Sequence, residues 1–173
     1  SPFASFNTIH VYDETMSDAA IQKDINAVYE KQDRPYAQPD GGSMFTRDRV
    51  ALLFKPKSNN QPYNLDVKVG YYTQVLGLGR SPDNVQIVGG VRTRDGKPEG
   101  AIDGAPGSLN TFWRSAENLA ITPTLGSVNF PNPDIVPLNE NVWSVSQAAP
   151  LRRVHIMGAL RLFEIGPSSG GFI

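Results

Sequence analysis

A short pattern that occurs three times constrains the fold of this chain more than any other feature of its sequence. The segment VQIVGGVRTR begins at Val85, and a near copy, VHIMGALRLF, begins at Val154. Between them, NLAI repeats the same alternation of apolar and variable residues from Leu119. The three positions lie 34 and 35 residues apart. A period of roughly 20 to 50 residues is typical of stacked units, each of which buries its apolar face against its neighbours.

The segments between these positions carry strand and turn signals but no helical pattern. Parallel strands need crossover connections, and a coil of two or three short strands per turn supplies them without helices. We therefore expect an all-β fold, a right-handed parallel β-helix, in which Val85, Leu119 and Val154 share one interior column. A β-sandwich also uses short strands with frequent turns and is the alternative fold.

Short apolar segments bounded by Gly, Pro and Asn follow one another in the second part of the chain. They are VALLFKP, LDVKVGYYTQVLGLG, NVQIVGGVRTR, NLAITPT, VWSVSQAAP and RRVHIMGALRLF. Two segments near residues 95–110 and 124–141 are rich in Gly, Pro, Asn and Asp, and we expect loops there. Residues 49–173 are therefore predicted to form the first coils of a single solenoid domain.

One amphipathic helix is predicted over about residues 17–32. Ser17 is a suitable N-cap. Apolar residues recur at helical spacing at Ile21, Ile25 and Val28. The first coil of a solenoid exposes an apolar interior and an unpaired strand edge, so we expect the helix of the N-terminal segment 1–48 to cap that coil.

The two ends of the sequence indicate a piece of a larger, exported protein. The segment SPFASFNTIH has no initiator Met and neither the basic nor the apolar region of a secretion signal, which fits a mature secreted chain or an engineered boundary. The segment SSGGFI continues a strand-like run without a polar cap. We expect further coils after Ile173, either in a longer chain or in a second chain that stays associated.

Composition argues against several classes of function. The 16 basic and 17 acidic residues give a net charge of −1, so there is no general attraction to nucleic acid or anionic lipid. No apolar run approaches the roughly 18 to 20 residues that span a bilayer. The chain has no Cys and two His, which leaves no thiolate and few imidazoles for a metal. We expect no cofactor and no metal.

Three sequence blocks, VGYYTQVLGLG, FWRSAENL and SQAAPLRR, carry a resemblance to a known family. With the strands around them, they resemble secreted bacterial and fungal pectin-lyase-like β-helix proteins, often labelled coagulation-factor 5/8-type or adenylyl-cyclase-like, over roughly residues 6–173. The resemblance implies an extracellular, carbohydrate-related protein. The resemblance does not assign catalytic residues to this chain. The motifs of polygalacturonase-type hydrolases are absent from the sequence.

The segment NTFWRSAENL has the composition of a sugar-binding site. An indole ring can stack on a sugar ring, while arginine, asparagine and carboxylate groups can hydrogen-bond its hydroxyls. We predict that Asn110, Trp113 and Arg114 bind substrate. We predict that Glu117 is a general acid. The structural alternative is that Trp113 packs under a loop, Arg114 pairs with Glu117, and Asn118 stacks at a coil corner.

The segment VWSVSQAAPLRRVHI supplies a second group of candidate substrate-binding residues. They are Trp143, Gln147, Arg153 and His155. Adjacent strand residues point to opposite faces, so Arg153 and His155 share a face opposite Val154. Such a strip could bind an acidic or polyhydroxylated glycan, and His155 could act as a general base. The alternative is a solvated surface histidine.

A glycoside hydrolase needs two carboxyl groups at a set separation, which sequence spacing cannot show. The acidic residues near predicted loops or corners are Asp83, Asp103, Glu117, Asp134 and Glu140. Asp83, in SPDN, is better explained as a turn residue. His10 is predicted to have no partner. The sequence thus predicts a secreted β-helix protein that acts on polysaccharide as a glycoside hydrolase or lyase; the alternative is a non-catalytic glycan-binding or structural module.

Overall fold

A computed structural model describes six ranges of the chain. They are residues 7–34, 42–43, 45–93, 112–124, 139–143 and 148–162. Within them lie β1 (Ile9–Tyr12), α1 (Asp18–Gln32), β2 (Val50–Phe54), β3 (Tyr63–Lys68), β4 (Thr73–Gly77), β5 (Gln86–Arg92), β6 (Ser115–Pro123), β7 (Glu140–Val142), β8 (Leu151–Ile156) and β9 (Ala159–Arg161). Most of the two predicted loops lies outside the described ranges, and β7 begins inside the second of them.

The strands form a parallel sheet that curls into a half-barrel. Its order is β1-β2-β4-β6-β5-β3, β8 adds to β6, and β7 pairs separately with β9. Every strand pairing in the described ranges is parallel. This pairing contradicts the β-sandwich alternative, whose sheets are antiparallel. The all-β expectation holds apart from the predicted helix, although the described residues do not show a complete β-helix.

The three positions of the repeated pattern stack on one another as predicted. Gln86 lies opposite Ala120, which places Val85 opposite Leu119, and Leu119 lies opposite Val154. Val85 and Leu119 are buried, and Val154 packs against the same core. The repeat therefore marks a column of apolar side chains that runs from the residue before β5 across β6 and β8.

A corner in β6 curls the sheet. The first part of β6 pairs with β4 and the second part with β5, and the two parts meet at Asn118. Asn118 has a left-handed backbone with φ 55°, which asparagine tolerates better than most residues. Its side-chain amide donates hydrogen bonds to the carbonyl oxygens of Gly77 and Gly79, both at 2.8 Å. Arg153 occupies the equivalent position of β8, with φ 51°.

Helix α1 agrees with its predicted extent and covers the outer edge of β3. The hydroxyl of Ser17 accepts a hydrogen bond from the backbone N–H of Ala20, as expected of an N-cap. The apolar stripe Ile21, Ile25 and Val28 is buried in the core. At the start of the helix, the carboxylate of Asp18 accepts a hydrogen bond from the backbone N–H of Asn64 at 2.9 Å. The helix therefore caps a strand edge, which is the position expected for it.

His10 ties β1 to the helix, which corrects the prediction that it has no partner. Its Nδ1 lies 2.7 Å from Oδ2 of Asp24. The hydroxyl of Tyr12 donates to the same oxygen at 2.9 Å. Burial, with the nearby Asp24 charge, raises the pKa of Tyr12, so the hydroxyl keeps its proton and remains a donor.

Candidate functional site

The outer face of β4, β6 and β8 carries the largest group of predicted site residues. Gln74 lies opposite Ser115, and Glu117 lies opposite both Leu76 and Arg152. The residue between Ser115 and Glu117 is buried, so these two side chains point to the outer face. Trp113 precedes Ser115 and is 59% exposed. Since a strand rises ~3.3 Å per residue, Trp113 and Glu117 lie roughly 13 Å apart along this face.

Arg49, Tyr72 and Trp113 form a line across the sheet. Arg49 and Tyr72 immediately precede β2 and β4, and Trp113 lies two residues before β6. The strand registers place Arg49 beside Tyr72 and Tyr72 beside Trp113. The guanidinium carbon of Arg49 lies 3.6 Å from the centroid of the Tyr72 ring, a cation–π contact. A hollow of about 380 Å³ opens here. Its lining residues are Thr8, Ile9, Arg49, Val50, Ala51, Tyr72, Gln74 and Trp113.

The backbone under this line is unusual for aromatic residues. Tyr72 and Trp113 have φ 54° and 61°, and Ala148, at the same register position before β8, has φ 49°. A recurring corner of the fold explains the left-handed backbone. It does not explain the bulky side chains, because Gly, Asn and Asp occupy this region at lower cost. The aromatic choice therefore indicates a use for the rings, and an exposed indole above a concave surface can stack on a sugar.

Neighbouring aromatic residues hold Tyr72 in place. Tyr71 and Phe112 meet edge to face, with ring centroids 4.9 Å apart. The backbone N–H of Phe45 donates to the Tyr72 hydroxyl at 3.1 Å. Tyr72 also donates its backbone N–H to the carbonyl oxygen of Phe112 at 3.4 Å. These contacts fix the Tyr72 ring, so the hollow beside Trp113 has a rigid wall.

Glu117 lies at the other end of the outer face and forms an ion pair with Arg152. Its side chain is about one-third exposed, and the predicted pairing of Arg114 with Glu117 does not occur. A second hollow of about 270 Å³ opens beside this ion pair. Its lining residues are Leu76, Gly77, Gly79, Arg80, Glu117, Asn118, Arg152 and Arg153. Nη2 of Arg153 donates to the carbonyl oxygen of Arg80 at 3.2 Å.

Asp83 and His155 form a pair on the surface, and each lies two or three residues along the chain from an arginine of this hollow. Nδ1 of His155 lies 2.6 Å from Oδ1 of Asp83. The side chain that closes the SPDN turn is Asn84, whose Oδ1 accepts a hydrogen bond from the backbone N–H of Ser81 at 3.0 Å. The explanation of Asp83 as a turn residue is therefore incomplete, because its carboxylate reaches across to His155 in β8.

Two predicted substrate-binding residues belong to the core. Arg114 has 0% exposure, and its Nη2 donates to the carbonyl oxygen of Trp143 at 2.5 Å. The guanidinium carbon also lies 5.1 Å from the centroid of the Trp143 ring. Trp143 is equally buried and donates its indole N–H to the carbonyl oxygen of Ala149 at 2.9 Å. Neither side chain reaches solvent, and this corrects their assignment to substrate binding.

The other predicted site residues and acidic candidates do not form one cluster in the described part of the chain. Asn110 and Gln147 lie outside the described residues, as do Asp103 and Asp134. Glu140 is buried and forms an ion pair with Arg161. Arg153 and His155 are exposed on β8, and Arg153 lines the second hollow.

Among the described residues, no group of three or more His, Asp or Glu side chains could hold a metal ion. None of the described helices has the length and apolar character needed to cross a bilayer.

Comparison with known proteins gives a chemical context for the outer face. No family model matches the chain. The chain is similar to a polysaccharide-degrading enzyme. Over 165 residues it is 36% identical to an exo-beta-1,3-glucanase of Streptomyces sp. (strain SirexAA-E / ActE). The aligned region covers 94% of this chain and 22% of that protein.

A solved structure gives the same result. It is a variant of sacteLam55A from Streptomyces sp. SirexAA-E in complex with glucose, with a TM-score of 0.62 and 36% identity. The match covers 90% of this chain and 22% of that one, so the chain spans about a fifth of the length of its relative. The comparisons support the predicted relationship to carbohydrate-active proteins, but they do not single out the pectin-lyase-like family.

Proposed function

We propose that this chain is a glucan-binding part of a glycoside hydrolase that acts on β-1,3-glucan. The observation that carries the proposal is the exposed Trp113 ring beside Tyr72, above a hollow on the outer face of the sheet. The similarity to an exo-beta-1,3-glucanase supplies the substrate class. The face between Trp113 and Glu117 is extended and regular, which suits an extended polymer.

The residues at this face have distinct roles in the proposal. Trp113 stacks on a glucose ring, and Gln74 offers an exposed amide to the ring hydroxyls. Arg49 is held against the Tyr72 ring and can donate to the same hydroxyls. Glu117 lies further along the chain of sugars, where Arg152 positions its carboxylate.

The proposal includes a fold and a location for the whole protein. The half-barrel forms the first part of a right-handed parallel β-helix, in which further coils, of the same chain or of an associated one, pair with β8. The much greater length of the relative supports this extension. The protein acts outside the cell, where its polymeric substrate is found.

The proposal is tested by affinity electrophoresis of the full chain in gels containing soluble β-1,3-glucan. We expect the glucan to retard the wild-type chain and the Trp113→Ala substitution to weaken binding at least about tenfold, a loss of ~1.4 kcal/mol. The matched control is Leu78→Ala, an exposed apolar residue outside the hollow. Equal retardation of wild type and Trp113→Ala, or no retardation of wild type, would contradict the proposal.

A non-catalytic glycan-binding module is the second candidate, and the Glu117–Arg152 ion pair favours it. A general acid must be able to reach the glycosidic oxygen, whereas this carboxylate is engaged with a guanidinium. The measurement that separates the two is release of reducing ends from β-1,3-glucan by the complete protein. Release that persists in Glu117→Gln would eliminate Glu117 as the acid, and binding without any release would favour the module.

A further inference from the structure

Arg80, Arg152 and Arg153, which we call the arginine pocket, surround the second hollow of the outer face. This hollow of about 270 Å³ has one carboxylate in its lining, that of Glu117. Three guanidinium groups against one carboxylate leave an excess of two positive charges. From this excess we infer that the arginine pocket binds an anionic group carried by a saccharide, such as the carboxylate of a uronic acid.

The positive charges of the pocket are only partly compensated. Arg152 is paired with Glu117. Arg153 donates to a backbone oxygen of Arg80, which carries no formal charge. The guanidinium of Arg80 makes no hydrogen bond or ion pair within the described ranges. Asp83, three residues after Arg80 in the sequence, is engaged with His155. Two guanidinium groups therefore remain available to an anion.

The floor of the pocket is rigid. Asn118 holds the carbonyl oxygens of Gly77 and Gly79 in place. A Cβ atom at Gly77 would lie 2.1 Å from the carbonyl oxygen of Asn118, and one at Gly79 would lie 2.5 Å from Cβ of Asn84. Glycine is therefore required for this close approach. A fixed floor keeps the stems of Arg80 and Arg153 close together, which lowers the entropic cost of binding a ligand between them.

The chemistry of the guanidinium group selects the ligand. Its planar donors match the two oxygens of a carboxylate, and they match a sulfate in the same way. The pocket adjoins the sugar-binding face, because Glu117 lies in β6 and Trp113 lies two residues before the start of that strand. A saccharide that bears an acidic substituent can therefore place its ring on that face and its charge in the pocket. The saccharide part of this inference rests on the proposed function, whereas the anion site rests on the arginines alone.

The test is a titration of the full chain with glucuronate, glucose and inorganic sulfate at low ionic strength, where surface charges are least screened. Binding is followed by NMR of the arginine side-chain N–H signals. We expect saturable shifts with glucuronate and no saturable binding of glucose at the arginines. Sulfate should bind at least about tenfold more weakly than glucuronate, because it has no sugar ring to contact the adjoining face. Arg80→Gln with Arg153→Gln should weaken glucuronate binding at least about tenfold. Arg47→Gln, an exposed arginine outside the pocket, should not change it.

Several outcomes would overturn the inference. If glucuronate binds no better than glucose, the pocket is not an anion site. If sulfate binds as tightly as glucuronate, the pocket does not select a saccharide. If the double variant fails to fold, the single substitution Arg80→Gln tests the inference. It should not disturb the fold, because the Arg80 side chain has no partner in the described ranges. Trp113→Ala should keep glucuronate binding while losing neutral β-1,3-glucan. If the wild-type chain does not bind neutral β-1,3-glucan, the proposed function is contradicted, but the anion site of the arginine pocket is not.

Discussion

Gln22 and Asp66 exchange two hydrogen bonds across the boundary between α1 and β3. Nε2 of Gln22 donates to the carbonyl oxygen of Asp66 at 2.9 Å, and the backbone N–H of Asp66 donates to Oε1 of Gln22 at 2.8 Å. The other edge of β3 pairs with β5. The side-chain amide of the helix therefore replaces a neighbouring strand and satisfies backbone groups that a sheet edge would leave open.

Replacing Gln22 with Ala should destabilise the fold measurably. The substitution leaves the N–H and the carbonyl of Asp66 without partners, and an unsatisfied, partly buried polar group costs ~1–3 kcal/mol. We expect the free energy of unfolding, measured by urea denaturation, to fall by about this amount. Lys23→Ala, at an exposed position of the same helix, should change it by less than ~0.5 kcal/mol. Equal effects of the two substitutions would show that the edge contact contributes nothing.

Leu119→Ala should test the apolar column. Leu119 lies between Val85 and Val154 and is fully buried, so truncation leaves a cavity in the centre of the stack. Such truncations cost ~2–5 kcal/mol. The matched control is Leu78→Ala, because Leu78 is 47% exposed. Thermal or urea unfolding that responds equally to both substitutions would be incompatible with a column at this position.

The stability of the chain should fall in acid. Hydrogen bonds from Thr15 and Lys55 lower the pKa of Asp13 to about 2. Burial would raise the pKa of Asp18, but hydrogen bonds from Asn64 and Lys57 outweigh it and lower that pKa. A carboxylate whose folded pKa lies below its unfolded value stabilises the fold above the unfolded value, about 3.8 for Asp. That contribution is lost as the pH falls through the folded value.

The measurement is the thermal unfolding midpoint between pH 5 and pH 2. We expect it to decline from roughly pH 4 toward pH 2, where the carboxylates become protonated. Asp13→Asn removes one titrating group, so its midpoint should be lower at pH 5 and should vary less with pH. A midpoint that Asp13→Asn lowers equally at every pH would exclude the titration of Asp13 as a cause.

The sequence predicted the elements whose signals are local or periodic. Ser17 and the stripe that contains Ile21 define α1 because capping and helical spacing act over a few residues. The stacking of Leu119 and Val154 followed from the repeat, since nearly equal intervals return the chain to the same position in successive turns. Trp113 was identified as a candidate from its own chemistry, and the structure leaves it exposed.

The sequence could not predict contacts that depend on register across unequal intervals. Arg49, Tyr72 and Trp113 form one line, but they come from segments separated by connections of different length. The local signal was that each of the three lies one or two residues before a strand. Arg114 has the composition of a surface residue, and its burial depends on the Trp143 carbonyl, which the fold brings close from another segment.

The parallel strand pairings of the half-barrel also determine how the chain reaches its fold. Ile9 pairs with Ala51 and Gln74 with Ser115, so a long loop must close before each of these ladders can form. The entropic cost of closing the loop comes before the stabilising contacts are made. Only α1 offers a local nucleus in the described part of the chain. Folding of such non-local topologies is slow, on the order of milliseconds to seconds. Partly assembled sheets with open edges persist meanwhile, so refolding yield should fall as protein concentration rises.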